Sequence, residues 1–521
     1  MNFLSGTHLS TRNPGITTPA AIRVFPNSRV ISALCAAALF AVAIAASSGA
    51  AEPTPPTHFP PAIQTVLDQT RPLTAPRGSR LPLLVLPISN ALAGAPDAET
   101  RMALTELNRR GIAYSVAWNF DALTNSIAEA LRIARFQREL GMWVAVDASG
   151  CVGPFFDGTD ATLHEDDAGK PFAETSFGGR LGCPFALEHR IPHVRSKLDA
   201  FLDPYKKAGL TLDFVFADWE VDGPIEWNDA WSNSRKCRRC RANLPGIEDF
   251  RTFQRALRAI RSHLQREAFA SPVTSRFPEA KVGNYGVHPH DGFRYWYDYF
   301  EKQVADGIPF RADHRARYRE WADEFSGSGY NSAIPVIYTW YPTFGWYDFA
   351  DPDYRWFYNM LLEGSSTGRN TPTSVPLVTF VHWTTTAPPE HPDPRTLQFS
   401  PEKYQDLLRH LILRGHDTYF LWCMPEELSR EIRLVHEVYA EGLQFREFLD
   451  EGRPVSFEVP NQVAPVISGL RLKDRVLVLR TDFGTNRVDI GLHLQGGGTI
   501  DVPSRRGWQT LEVHPTPRTL D

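Results

Sequence analysis

The chain has 521 residues, 42% of them hydrophobic and 22% charged, which is too long for one small module and too apolar for a chain disordered throughout. With 55 basic against 60 acidic residues the formal net charge is −5, which argues against a broad nucleic-acid-binding surface. Twelve of the thirteen tryptophans fall between Trp118 and Trp422, a concentration of flat apolar faces that suits a deep core, a sugar-binding cleft or both.

In chain order, the first segment reads as an export signal over residues 1–51. Arg12, Arg23 and Arg29 form a positive flank with no acidic residue before Glu52. Val30–Ala46 is an apolar run, and Ser48-Gly49-Ala50-Ala51 offers small residues to a peptidase. A retained anchor is the alternative, although seventeen residues is at the short limit for spanning a bilayer. The expectation is export to the periplasm or the medium, with no membrane contact after cleavage. Residues 52–80, Pro- and Thr-rich, read as a loosely ordered leader.

Eight short, continuously apolar runs follow: Leu81–Pro87, Ile112–Trp118, Met142–Asp147, Leu212–Asp218, Lys281–Gly286, Ala333–Trp340, Val375–Trp383 and Thr418–Cys423. Stretches of helical spacing separate many of them, as at Ser126–Leu140, His193–Lys207, Ile247–Glu267, Tyr354–Leu362 and Pro401–Leu413. Apolar strands alternating with helices imply a parallel sheet covered on both faces, and eight such units over residues 81–449 predict an α/β fold of the (β/α)8 TIM-barrel type. An open doubly wound sheet is the rival, but no Gly-x-Gly-x-x-Gly turn follows the first strand. After the helical stretch Glu426–Leu449, alternating runs at Ser468–Leu472, Arg475–Thr481, Val488–Leu494 and Gln509–Val513 predict a small antiparallel all-β domain over 455–521.

In such a barrel, chemistry belongs at the carboxyl ends of the strands. The fourth run ends Asp218-Trp219-Glu220, and residues at i and i+2 of a strand share a face, so the two carboxylates would point together into the mouth. Two close carboxylates in a half-buried site do not both ionise cheaply; one is driven to hold a proton. A neutral acid beside an anion is what glycoside cleavage uses. The bland alternative is an Asp helix cap followed by a solvated Glu. The other strand ends carry Tyr285, Tyr338, His382 with Trp383, and Trp422, rings with polar tips suited to stacking on sugars and hydrogen-bonding their hydroxyls. Any one such aromatic is more often core than ligand; their recurrence at equivalent strand ends is what points to a cleft. No second Glu or Asp ends the seventh strand, which leaves substrate-assisted cleavage, or inversion with a more distant base such as Asp147.

The order Asp-Trp-Glu, then Asn-Tyr-Gly, then a Pro-x-Ile-Tyr strand, then an apolar strand ending in Leu-Trp resembles the hyaluronidase family of glycoside hydrolases. The matching segments are Val215–Trp227, Gly283–Tyr299, Asn331–Tyr338, Val375–Trp383 and Leu397–Trp422. The resemblance implies Glu220 as acid/base, Asp218 as positioner of a substrate acetamido group, Tyr285 and Tyr338 as holders of the reacting sugar, and Trp422 as pocket floor. Trp383, His382, Asp147 and Trp219 complete the expected substrate-binding set. The chain departs from the family in the Val-Asp-Gly-Pro that follows Glu220, in an insertion bearing Cys237 and Cys240, and in its cysteine pattern, so substrate identity does not carry over.

The expected function is therefore an exported glycoside hydrolase whose partner is a carbohydrate, with no cofactor and no nucleic acid. Two alternatives stand beside it: a non-catalytic carbohydrate-binding barrel, and a metal-dependent hydrolase using His288, His290 and His382. Of the cysteines beyond the signal, Cys237-Arg-Arg-Cys240 has the spacing of half a zinc site that Cys151 and Cys183 could complete. In an exported chain two disulfides explain the same four residues. Cys423 reads as a small buried apolar residue.

Overall fold

The computed structural model describes residues 59–152, 161–172, 174–176, 179–219, 229–291, 322–340, 344, 347–386, 395–485, 487–495 and 497–514. The proposed signal segment and Glu220 lie outside the described residues.

Each of the eight apolar runs contains a strand: β1 (Leu83–Val85), β2 (Ile112–Ala113, resuming after Tyr114 as Ser115–Ala117), β3 (Ala145–Asp147), β4 (Phe214–Ala217), β5 (Lys281–Asn284), β6 (Val336–Trp340), β7 (Val378–Thr386) and β8 (Thr418–Leu421). All pairings among them are parallel. They form a five-stranded sheet ordered β6-β7-β8-β1-β2 and a four-stranded sheet ordered β5-β4-β3-β2. The two sheets share β2, split at Tyr114, whose carbonyl accepts from the Gln137 side chain at 2.6 Å.

No closed eight-stranded ladder is found among the described residues. Backbone bonds nevertheless cross between β5 and the approach to β6: Ser332 N to Val282 O at 3.1 Å, and Gly286 N to Ile334 O at 3.1 Å. Gly283 permits this approach, since a Cβ there would lie 2.7 Å from both the Ser332 carbonyl and the Ile334 side chain. Side chains from both sheets meet in one interior cluster that includes Leu84, Ala145, Phe214, Phe216, Val336, Phe380 and Phe420. The alternate residues pack outward under the helices, which is why the runs are apolar without a break rather than alternating.

The covering helices include α1 (Pro61–Gln69), α2 (Asp97–Arg109), α3 (Leu123–Glu139), α4 (Arg190–Lys207), α5 (Phe250–Gln265), α6 (Pro352–Asn370), α7 (Pro401–Ile412) and α8 (Leu428–Gly442). The first corrects the loose-leader expectation over 59–80. Pro61 at N1 starts a helix, and Ile63, Val66 and Leu67 at i, i+3 and i+4 bury one stripe, with α2 and α8 as neighbours. The helix α2 was not anticipated.

Beyond α8 the chain forms β9 (Arg453–Pro454), β10 (Val466–Leu472), β11 (Arg475–Thr481), β12 (Ile490–His493), β13 (Thr499–Val502) and β14 (Gln509–Glu512). These make an antiparallel sheet ordered β9-β10-β11-β14 and an antiparallel pair β12-β13. A buried polar joint docks them on α7: His410 Nδ1 lies 2.7 Å from Ser468 Oγ, His410 Nε2 lies 3.0 Å from Thr481 Oγ1, and Arg414 Nε donates to Ser468 Oγ at 2.8 Å.

Candidate active site

Strand parity decides what faces the interior. In β4, Phe214 and Phe216 belong to the interior cluster, whereas Val215, Ala217 and Trp219 belong to the helix layer. Asp218 therefore continues the interior face, and by the same alternation so does Asp147 after Ala145 in β3. Tyr285 after β5, Tyr338 in β6, His382 in β7 and Trp422 after β8 occupy the equivalent places. Six successive strand ends thus present two carboxylates followed by four rings.

Ser149 ties the Asp147 carboxylate to the backbone of Asp218. Its amide donates to Asp147 Oδ1 at 2.9 Å and its hydroxyl donates to the same oxygen. The Ser149 Oγ in turn accepts from the Asp218 amide at 2.7 Å. Burial pushes the Asp147 carboxyl above the ordinary carboxylate range, against the opposing hydrogen bonds from Ser149. Asn284, fully buried in β5, clamps the next residue: its Oδ1 accepts from Trp219 N at 2.9 Å and its Nδ2 donates to Trp219 O at 2.9 Å. The same Nδ2 also donates to Gln265 Oε1 at 3.0 Å. Gln265 donates to Glu324 at 3.0 Å, and Glu324 pairs with buried Arg261. Ser149, Asn284 and this buried chain hold the backbone at Asp218 and Trp219. Sequence reasoning missed their role; the visible signal was a lone Asn closing an apolar strand.

The rings form one wall. Tyr338 stacks on Trp422 at 5.4 Å between centroids, His382 meets Trp422 edge-on at 4.8 Å, and Tyr285 lies 6.4 Å from Tyr338. His382 is anchored from behind: its Nδ1 lies 3.1 Å from Glu431 on α8, whose two oxygens also accept from the amides of Trp383 and Thr384 at 2.8 Å. Burial would raise the Glu431 carboxyl, but the His382 hydrogen bond and charge and the two amides outweigh it and hold the group below the ordinary range. Glu431 was not anticipated either, although an acid on the apolar stripe of Leu428, Ile432 and Val435 is a visible anomaly.

Three sequence expectations are corrected here. Trp219 and Trp383 do not join the wall. Both lie on the outward parity and pack among the helices, with Trp383 Nε1 donating to Phe399 O at 2.8 Å and the Arg430 guanidinium over its ring. The histidines of the metal-hydrolase alternative do not form one ligand group among the described residues. His288 and His290 adjoin, their ring centroids 5.3 Å apart, but His288 Nε2 lies 3.1 Å from Glu363 and its Nδ1 2.9 Å from Thr367, both on α6, while His382 is committed to Glu431. The cysteines form no disulfide among the described residues. Cys151 is buried apart, its thiol pushed up to about 12 by burial. Cys183, Cys237 and Cys240 instead gather around His164. A second group whose ligand atoms converge is His382, Glu427 and Glu431: Glu431 is engaged as described, and Glu427 accepts from the Met424 amide at 2.9 Å.

No protein-family model and no curated protein matches the chain. Among solved structures it is similar to α-L-fucosidase isoenzyme 2 from Paenibacillus thiaminolyticus, at 13% identity and TM-score 0.42 over 72% of this chain and 51% of that one. It is also similar to a GH36 α-galactosidase from Geobacillus stearothermophilus in complex with stachyose, at 10% identity and TM-score 0.43 over 87% and 58%. A third is α-galactosidase I from Mortierella vinacea, at 10% identity and TM-score 0.35 over 85% and 99%. The chain spans about half the length of the first two. Identities this low and superpositions this loose tie none of these activities to this chain.

Proposed function

We propose that the chain is an exported glycoside hydrolase acting on a polysaccharide or glycan at the carboxyl ends of its parallel strands, with the two sheets closing as a (β/α)8 barrel. Closure is supported by the shared interior cluster, by β2 serving both sheets and by the backbone bonds at the β5–β6 seam. The observation that supports this function most is strand parity: Asp147 and Asp218 continue the interior faces of β3 and β4, as Tyr285, Tyr338, His382 and Trp422 continue those of β5 to β8. Carboxyl groups at the same strand ends as stacked rings with polar tips suit protonation of a glycosidic oxygen while a sugar lies against the rings.

In this reading Glu220, two residues beyond Asp218 in sequence, donates the proton to the leaving oxygen. Asp218 stabilises the oxocarbenium-like transition state or positions an acetamido group whose oxygen attacks the anomeric carbon. Asp147, its carboxyl shifted by burial toward the protonated form, is the more distant base of an inverting alternative. The resemblance to hyaluronidases supports the substrate-assisted version.

The test is reducing-end release from a panel of N-acetylated and plain polysaccharides by the wild type, Glu220→Gln and Asp218→Asn. Loss of the acid should lower turnover by about 10²–10⁴-fold on unactivated leaving groups. Asp218→Asn should lose most on N-acetylated substrates. Full turnover in Glu220→Gln removes Glu220 from the mechanism. A wild type that binds glycans and cleaves none of the panel replaces the enzyme with a carbohydrate-binding barrel.

A further inference from the structure

We infer that His164, Cys183, Cys237 and Cys240 form a structural zinc site that clasps the loops following β3 and β4. All four side chains are buried at 2% exposure or less, and one ligand atom from each lies within 4.8 Å of all the others. The Cys183 and Cys240 sulfurs are 3.3 Å apart, and Cys240 Sγ lies 3.8 Å from His164 Nδ1. A tetrahedral zinc with Zn–S bonds of about 2.3 Å holds its sulfurs about 3.8 Å apart, close to this spacing, whereas a disulfide needs about 2.05 Å. Three thiols and one imidazole form a ligand set that zinc takes in structural sites, and any disulfide among them strands the third thiol and the histidine in an apolar enclosure.

The surroundings fit a bound cation. The Glu165 amide donates to Cys237 Sγ at 3.4 Å, the kind of outer contact that steadies a ligating thiolate. Zinc binding would release the thiol protons to solvent and leave one net negative charge. Arg239 is placed to offset it: its guanidinium interacts with Cys183 and Cys237, pairs with Glu165 and donates to Leu163 O at 3.1 Å.

The architecture also calls for a staple. His164 sits in a hairpin of two-residue strands, His164–Glu165 with Pro171–Phe172, and Cys183 precedes a single 3-10 turn at Pro184–Ala186. Cys237 joins the short helices Asp229–Lys236 and Arg238–Asn243, and Cys240 lies on the second. Pieces this small bury too little apolar surface to hold their places alone. They are the segments that follow Asp147 and Asp218, so the metal would set the rim over those carboxylates. The site's existence does not depend on the glycosidase reading, because metal content is measured without substrate.

The full-length protein, produced in zinc-supplemented cells and purified without chelator, should contain about one zinc per chain by elemental mass spectrometry. Cys183→Ser and Cys240→Ser should lose it, and Cys151→Ser should keep it. Replacement by cobalt should produce a thiolate-to-cobalt charge-transfer band. If the serine variants do not fold, titration of the wild type with an organomercurial should release zinc to a colorimetric chelator as the three thiols react. Iron in place of zinc, metal well below stoichiometry that added Zn²⁺ does not raise, retention of zinc by the folded serine variants, or a Cys183–Cys240 disulfide in an alkylated digest each overturns the inference.

Discussion

Asn284→Ala tests whether the backbone between Asp218 and Glu220 is held by one side chain. The substitution deprives the Trp219 amide, the Trp219 carbonyl and Gln265 Oε1 of a partner in a fully buried setting. An orphaned buried polar group costs about 1–3 kcal/mol, and a water entering the truncated space recovers part of it, so about 1 kcal/mol per group gives about 3 kcal/mol in all. At about 2.1 cal/mol/K per residue over the roughly 390 residues from 59 to 449, the unfolding entropy is about 0.8 kcal/mol/K and the expected fall in Tm about 4 °C. Because the loosened residue adjoins both proposed catalytic acids, kcat should fall about 10–100-fold with KM little changed. Asn284→Asp keeps one of the three bonds and sets a carboxylate against the Trp219 carbonyl, so it should lose at least as much. Scanning calorimetry and steady-state kinetics read the two effects separately. An Asn284→Ala protein with unaltered Tm and unaltered kcat would refute the clamp.

Three further outcomes follow from the same physics. Asp147 is raised above its unfolded value of about 3.9, so the unfolded chain ionises first and the folded state loses stability as pH rises past that value; Asp147→Asn should be more heat-stable than wild type at pH 7, a gain that vanishes below about pH 4 in a Tm-against-pH series. Glu431 is depressed, so its contribution is present above about pH 4.3 and lost as pH falls through the folded value; Glu431→Gln should cost about 2 kcal/mol at neutral pH by urea unfolding, with the deficit closing in acid. Ser468→Ala leaves buried Arg414 Nε and His410 Nδ1 without their shared partner; it should cost about 2 kcal/mol and speed limited proteolysis near residues 453–466, whereas an unchanged digest would show that the joint does not dock the β domain.

What was legible in the chain was local. The eight strands could be found because both their faces are buried, and a strand covered on both sides must be written as an unbroken apolar run. Trp219 and Trp383 show the limit of such a run: with no polar alternation to mark a face, only the packed sheet reveals that they turn toward the helices while Asp218 and His382 turn inward. The helix at Pro61–Gln69 was hidden by its Pro- and Thr-rich flanks, although Ile63, Val66 and Leu67 carried the spacing.

The site divides in the same way. The interior strand-end positions of Asp218, Tyr285, Tyr338, His382 and Trp422 were legible because alternation along a strand is a rule of short range. Ser149, Asn284, Gln265 and Glu431 act across 19 to 69 residues of chain through buried or half-buried hydrogen bonds. The cysteines make the contrast sharpest. Cys237 and Cys240 announce half a ligand set by their spacing, but of the expected completion, Cys151 with Cys183, only Cys183 joins them in the folded chain, and His164 stands where Cys151 was expected. The one-dimensional text thus settles which segments are strand or helix and which residue types stand at their ends, because those depend on neighbours a few positions away. Which distant groups share a buried space is decided only when the strands are side by side, since that depends on three-dimensional packing, which no spacing along the chain encodes.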